Sequence, residues 1–107
     1  MPDFEIGQYD LLPVFAFTCK QAGAAVDLTG ATVEFHMETP AGVEKVNAAA
    51  VVTSAAAGQG EYRWAGTDTD THGLYLAEVE VTFSSGKKQT FPRDVKTQIQ
   101  IYPKLIQ

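Results

Sequence analysis

Residues 67–83 read TDTDTHGLYLAEVEVTF. From Leu74 onward the stretch alternates. Tyr75, Ala77, Val79, Val81 and Phe83 fall on one face, and Leu74, Leu76, Glu78, Glu80 and Thr82 fall on the other. Period two over ten residues is what a sheet strand with one buried face requires. The first half is a polar loop ending in Gly73. The stretch is therefore predicted to be the central strand of a β-sandwich, entered through that loop.

Tyr75 stands at the strand start, two residues after Gly73. The placement is similar to a tyrosine corner, in which the hydroxyl bonds back to upstream backbone. Working outward, Pro13 opens a strand over 14–19, a position where its missing N–H breaks no ladder. Residues 31–38 form the next strand, with Val33, Phe35 and Met37 inward and Glu34, His36 and Glu38 outward. A Pro-Gly turn follows at 39–42. Residues 43–52 contain the run Ala48-Ala49-Ala50, where alanine favours helix. The run is short, uncapped and flanked by valines, so strand is predicted. Residues 54–60 read as a loop and 61–64 as a short aromatic strand. Ser84-Ser85-Gly86 turns a hairpin into 87–91, and Pro92 interrupts. A last strand carries Val95, Thr97, Ile99 and Ile101 on one face, and Pro103 stops it. Seven or eight short strands at spacings of roughly ten residues predict an all-β sandwich or barrel. The expected core is Phe15, Phe17, Val33, Phe35, Tyr62, Trp64, Tyr75, Val79, Val81 and Ile99.

Bulk properties narrow the function. A chain of 107 residues with 45 % apolar content forms one globular domain with a core of its own. A net charge of −5 is a poor match for nucleic-acid phosphates, which need clustered Lys and Arg. The basic pair Lys87-Lys88 sits at the predicted hairpin and reads as a solvated turn. The lone Cys19 excludes an intrachain disulfide and shares a strand face with Phe15 and Phe17, so it reads as a small buried hydrophobe. No apolar run approaches the ~20 residues that span a bilayer. The acidic opening MPDFEIGQYD has no apolar h-region, so no signal peptide is expected, and folding in a reducing cytoplasm is.

Candidate chemistry is sparse. His36 and His72 are far apart and lack zinc-ligand spacing, so no metal or cofactor is expected. Asp68-Thr69-Asp70-Thr71 spaces two carboxylates as calcium loops do, but without the Gly and Glu an EF-hand needs. Asp70 and Thr71 are expected to bond their own loop backbone. Glu34, Glu38, Glu78 and Glu80 all fall on solvated strand faces, and paired acid–base work needs one desolvated carboxylate. No nucleophile elbow or phosphate loop occurs. No catalytic residue is assigned, and no enzyme activity is expected.

Several blocks occur in a telling order. They are Ile6-Gly7-Gln8-Tyr9-Asp10-Leu11-Leu12-Pro13, then VDLTGATVEFHM over 26–37, Tyr62-Arg63-Trp64, DTHGLYLAEVEVTF over 70–83, Gly86, and Phe91-Pro92. Their conjunction resembles the N-terminal domain of the phage baseplate upper protein family, across residues 6–102. The resemblance implies an immunoglobulin-like antiparallel β-sandwich of about 7–8 strands with extended terminal arms. It also implies a structural role in a tailed-phage virion, with the protein made in the host bacterial cytoplasm. Longer members of that family continue past this domain, so an attachment module without a direct receptor role is expected here.

The resulting division is an arm over 1–12, a sandwich over 13–102 and a tail over 103–107. Residues 1–12 lack a regular period yet carry Phe4, Ile6, Tyr9, Leu11 and Leu12, too apolar for a free polar tail. The interface is expected at Phe4, Ile6, Tyr9, Leu11, Leu12, Tyr102, Leu105 and Ile106. It would contact other phage structural proteins, in tail, baseplate, neck or capsid, as multiple copies in a symmetric assembly. No nucleic acid or membrane partner is expected. The arms could add backbone to a neighbour's open sheet edge. Two rivals remain: a capsid decoration protein of the same fold, and a carbohydrate-binding or adhesion module using the few exposed aromatics, Tyr9 and Tyr102.

Overall fold

The alternating stretch forms the longest strand of the molecule. The computed structural model describes residues 2–92 and 96–105, which hold eleven strands and no helix. In chain order they are β1 (Phe4–Gly7), β2 (Phe15–Thr18), β3 (Lys20–Gln21), β4 (Ala24–Ala25), β5 (Thr32–Glu38), β6 (Glu44–Ala49), β7 (Val51–Ser54), β8 (Gln59–Tyr62), β9 (Gly73–Thr82), β10 (Lys88–Phe91) and β11 (Thr97–Tyr102). The predicted start of the last strand, Val95, lies outside the described residues.

The length of β9 lets it serve three partners. Along one side β5 pairs antiparallel, from Thr32 opposite Thr82 to Glu38 opposite Leu76. Along the other side β10 takes the Val79–Thr82 half and β11 the Gly73–Ala77 half. β6 extends the sheet past β5 and β1 extends it past β11, giving the order β1-β11-β9-β5-β6. A second sheet runs β2-β8-β7, and β3–β4 is a small hairpin. The chain changes sheets at Ala50, between β6 and β7, where the Ala50 N–H donates to the Val33 carbonyl at 2.8 Å. The alanine-rich run is thus strand in two pieces. Val46 is buried and Ala48 packs against the core, so tertiary packing overrides helix propensity.

The sheets are joined by aromatic side chains. Phe35 of β5 stacks on Tyr62 of β8 with centroids 4.5 Å apart and planes at 12°. Trp64 meets both rings edge-on, and Phe15 packs on Phe35 at 5.3 Å. Every predicted core residue except Phe17 is buried. Phe17 is half-buried, with its ring over Gly60, where a Cβ would come within 2.6 Å of Phe17 Cζ. The Tyr75 hydroxyl donates to the Thr71 carbonyl at 2.8 Å, the bond expected of a tyrosine corner. The result is an all-β, sandwich-like globule.

The N-terminal segment departs from expectation. Phe4–Gly7 is not an extended arm but an edge strand, paired parallel to β11 from Phe4 opposite Ile99 to Gly7 opposite Tyr102. The reason is local alternation. Phe4 and Ile6 lie two apart, so both turn toward the core while Glu5 turns to solvent. Ile6 is 4 % exposed, and Phe4 packs against Phe15 and Trp64. The strand addition anticipated between molecules is made within the chain itself.

Ile6→Ala is therefore expected to cost about 2–5 kcal/mol in urea unfolding, as a buried aliphatic truncation does. Leu12→Ala, on an exposed side chain, should stay within about 0.5 kcal/mol. Equally small effects would mean that β1 contributes nothing to the fold.

Candidate functional site

Immediately after β1 the chain is bound at both ends of the sequence at once. The Gln8 N–H donates to the Tyr102 carbonyl at 2.8 Å, and Gln8 Oε1 accepts the Lys104 N–H at 3.2 Å. Gln8 Nε2 donates to the Asp70 carbonyl at 2.7 Å. The Tyr9 N–H donates to the Thr69 carbonyl at 3.0 Å, and the Thr69 hydroxyl returns a bond to the Asp10 carbonyl at 2.9 Å. Lys104 Nζ reaches Asp10 Oδ1 at 2.8 Å. Gln8 and Thr69 are buried polar residues, and these partners satisfy them. Segment 8–10, segment 102–104 and loop 65–72 thus form one bonded platform. Trp64 Nε1, donating to the Pro13 carbonyl at 3.1 Å, ties its far end to the core.

The loop itself is held from beneath. Asp68 accepts the Tyr62 hydroxyl and, at 3.0 Å, the Ala65 N–H. Burial first, and the Asp68 carboxylate second, push the Tyr62 phenol well above its ordinary value. Asp70 accepts the Lys45 ammonium and, at 2.9 Å, the Thr71 hydroxyl. The Lys45 bond, then the Thr71 bond, hold the Asp70 carboxyl below the ordinary Asp value. Asp70 thus adds the Lys45 and Thr71 side chains to the loop-backbone bond expected of it, whereas the Thr71 hydroxyl bonds the Asp70 side chain instead of backbone. Both Asp side chains are committed to bonds within the fold.

Of the residues predicted for an interface, the platform and its flanks carry five with large exposed apolar surface. Leu12 is 73 % exposed, Tyr9 50 %, Leu11 and Tyr102 47 % each, and Leu105 is fully exposed. Phe4 and Ile6 do not join them, because β1 turns both inward. Ile106 lies outside the described residues. Tyr9 adopts a left-handed backbone, φ 70°, within a turn closed by the Asp10 N–H to Gly7 carbonyl bond of 3.0 Å. Such a conformation costs a non-glycine residue about 1 kcal/mol or more. The Thr69 and Gln8 bonds on either side hold it.

Elsewhere, Cys19 is wholly buried, and desolvation pushes its thiol up to about 11. Lys87 and Lys88 are exposed at the hairpin. Glu34, Glu38, Glu78 and Glu80 line the outer face of the larger sheet, where Lys96 Nζ reaches Glu38 at 2.6 Å and Glu78 at 3.8 Å. Among the described residues no helix is long and apolar enough to cross a membrane. The chain matches no family model and no curated protein.

Sequence reading identified the exposed apolar residues but missed the polar ones that hold them, Gln8, Thr69 and Lys104. A Gln inside an apolar segment was the available signal, since a polar side chain there needs partners.

Two outcomes test this geometry. Asp70 has a depressed folded value, so its contribution is complete above the ordinary Asp value of about 3.9 and is lost as pH falls through the lower folded one. Asp70→Asn should lower Tm at pH 7, and the gap to the parent should close as acid is added. A gap independent of pH would break the assignment to the Lys45 pair. Cys19 should resist a thiol reagent at pH 8 in the native protein and react fully in denaturant. Rapid native labelling would mean that its strand opens readily.

Proposed function

We propose that the chain is a non-enzymatic structural subunit of a tailed-phage virion. In this reading it is an immunoglobulin-like sandwich that attaches in the tail, baseplate or neck by docking on neighbouring virion proteins. The observation that carries this reading is the platform. Tyr9 and Tyr102 lie on two segments bonded to each other, and Leu11, Leu12 and Leu105 follow those segments in the chain, all five with exposed side chains. Single exposed apolar residues are ordinary, but several gathered on an ordered support mark a contact surface. Preorganisation favours this use, since a segment already fixed loses little further freedom on binding.

The resemblance over residues 6–102 supplies the setting, and the sandwich-like all-β architecture is compatible with it. An attachment module needs no catalytic group, and an acidic chain of net charge −5 avoids the nucleic acid packed nearby. The docking residues are Tyr9, Leu11, Leu12, Tyr102 and Leu105, supplemented by an open sheet edge. Phe4 and Ile6 act from inside by holding β1, and repeated copies in a symmetric assembly would present the same platform to the same neighbour.

The double variant Leu12→Glu, Leu105→Glu should keep the parent Tm yet fail to enter particles, because it places two charges on the contact surface. Mass spectrometry of purified particles, separated into heads and tails, reads the outcome. Parent chain at low copy number in tails, with the variant missing, is expected. Parent chain in heads at the abundance of the capsid lattice would make it a decoration protein. Normal incorporation of the variant would remove the platform from the interface.

A further inference from the structure

The outer face of the larger sheet carries a group of side chains that the docking reading does not use. Glu34 and His36 project from β5 on the same face, two residues apart, and Glu80 projects from β9 directly opposite Glu34. One potential ligand atom from each lies within 4.8 Å of the others. We propose that Glu34, His36 and Glu80 bind a divalent transition-metal ion of the zinc class.

Three features argue for a ligand rather than a solvated face. First, Glu34 and Glu80 are cross-strand neighbours of like charge, an arrangement that destabilises a sheet unless a cation intervenes. Second, among the described residues no ammonium group pairs with Glu34, whose one potential ion-pair partner is His36. Lys96 is engaged by Glu38 and Glu78, at 2.6 and 3.8 Å. Lys88 Nζ pairs with Glu80 Oε1 at the same 3.8 Å, from the end of an exposed side chain. Third, His36 Nε2 is buried and has no hydrogen-bond partner among the described residues, and its nearest carboxylate oxygen, Glu34 Oε1, is 3.7 Å away. A buried nitrogen with an unused lone pair or proton is costly, and a metal ion would satisfy it.

The chemistry of the set selects the ion. Zinc bonds of about 2.0–2.2 Å place tetrahedral ligands roughly 3.3–3.6 Å apart, so side-chain rotations of about 1 Å close the observed spacing. One imidazole and two carboxylates suit zinc and its neighbours. Calcium would want six to eight oxygens, which two carboxylates and an imidazole do not provide. Two ligands at i and i+2 on one strand plus one across the ladder occupy one side of an ion. The remaining position faces solvent and takes water. The strands are rigidly paired on both sides, with β6 flanking β5 and β10 flanking β9, so the ligand positions are set before the ion arrives.

Isothermal titration of the full chain with zinc chloride, alongside cobalt(II) absorption spectroscopy, tests the site. One ion per chain is expected, with a tetrahedral cobalt band. His36→Asn and Glu80→Gln should each weaken binding by roughly tenfold or more. His72→Asn should leave it unchanged, and Lys88→Gln should leave it equal or tighter. All four side chains are at least partly exposed, so the variants should fold, and in chelator Glu80→Gln, which removes the like-charge opposition, should match or exceed the parent Tm. Absence of heat and of the cobalt band would overturn the proposal. So would binding that survives both His36→Asn and Glu80→Gln, binding lost in His72→Asn, or equal affinity for calcium.

Discussion

The stacking of Phe35 on Tyr62 is the contact on which the rest of the molecule depends. It joins the two sheets through one ring from each, and Trp64 and Phe15 pack around that pair. The ring brings a hydroxyl into the protein, and a phenol removed from water needs a partner. Asp68 accepts it, and so the loop over 65–72 is tied to the core rather than left to solvent. Once Asp68 is placed, Thr69 and Asp70 follow in sequence. Thr69 and the Asp70 carbonyl take Tyr9, Asp10 and Gln8, and the Asp70 side chain takes Lys45 from β6. A single buried hydroxyl therefore propagates order from the sheet interface to the chain's N-terminal segment and, through Gln8 and Lys104, to its C-terminal one.

Much of this was legible in the sequence because a sheet writes its buried face into alternate residues. The strands β5, β9 and β11 each show the pattern, and their inward residues Val33, Phe35, Tyr75, Val79, Val81 and Ile99 are buried. Tyr75 announced its bond to Thr71 by its place after Gly73. What failed to show was short or non-local. β3 and β4 are two residues each, below any periodic signal. β1 has one full period, Phe4 and Ile6, before Gly7 breaks it, and its partner β11 lies some ninety residues away. The segment expected to be a loop over 54–60, which is strand at Ser54 and from Gln59 on, hides a constraint of the same kind. Gly58 has φ +68°, and a Cβ there would sit 2.7 Å from the carbonyls of Cys19 and Val26. No local rule predicts that a turn will pass so close to the two residues that flank the β3–β4 hairpin.

The correction at β1 changes the kind of interface that the proposed docking would use. A free arm would have to be ordered on binding, at about 1–2 kcal/mol of backbone entropy per residue. Here that cost is already met by folding, since Phe4–Gly7 is laddered to β11 and residues 8–10 are bonded to loop and tail. What remains for a partner is a preformed surface of side chains, with Leu12 and Leu105 most exposed. Such a surface discriminates by shape, whereas an arm discriminates by backbone pairing. The same fold leaves β1 as the outer strand of its sheet, so edge pairing stays open, but to an incoming strand rather than an outgoing one.

The two faces of β5 and β9 show how one register does unrelated work. Inward, the pairing of Phe35 with Val79 and of Val33 with Val81 packs the core. Outward, the same register sets Glu34 against Glu80 and His36 against Glu78. Glu34 and Glu80 are forty-six positions apart, so no motif search by spacing could join them, and His36 alone reads as a solvated histidine. Inward packing fixes the register because a one-residue slip would turn Phe35 to water. The outward cluster inherits that rigidity without contributing to it. The core beneath fixes the two backbone positions in opposition, so the repulsion of this carboxylate pair is relieved only by side-chain rotation or by a cation. Lys88 meets one member, Glu80, at 3.8 Å, and His36 sets a buried, unpartnered nitrogen 3.7 Å from the other, Glu34.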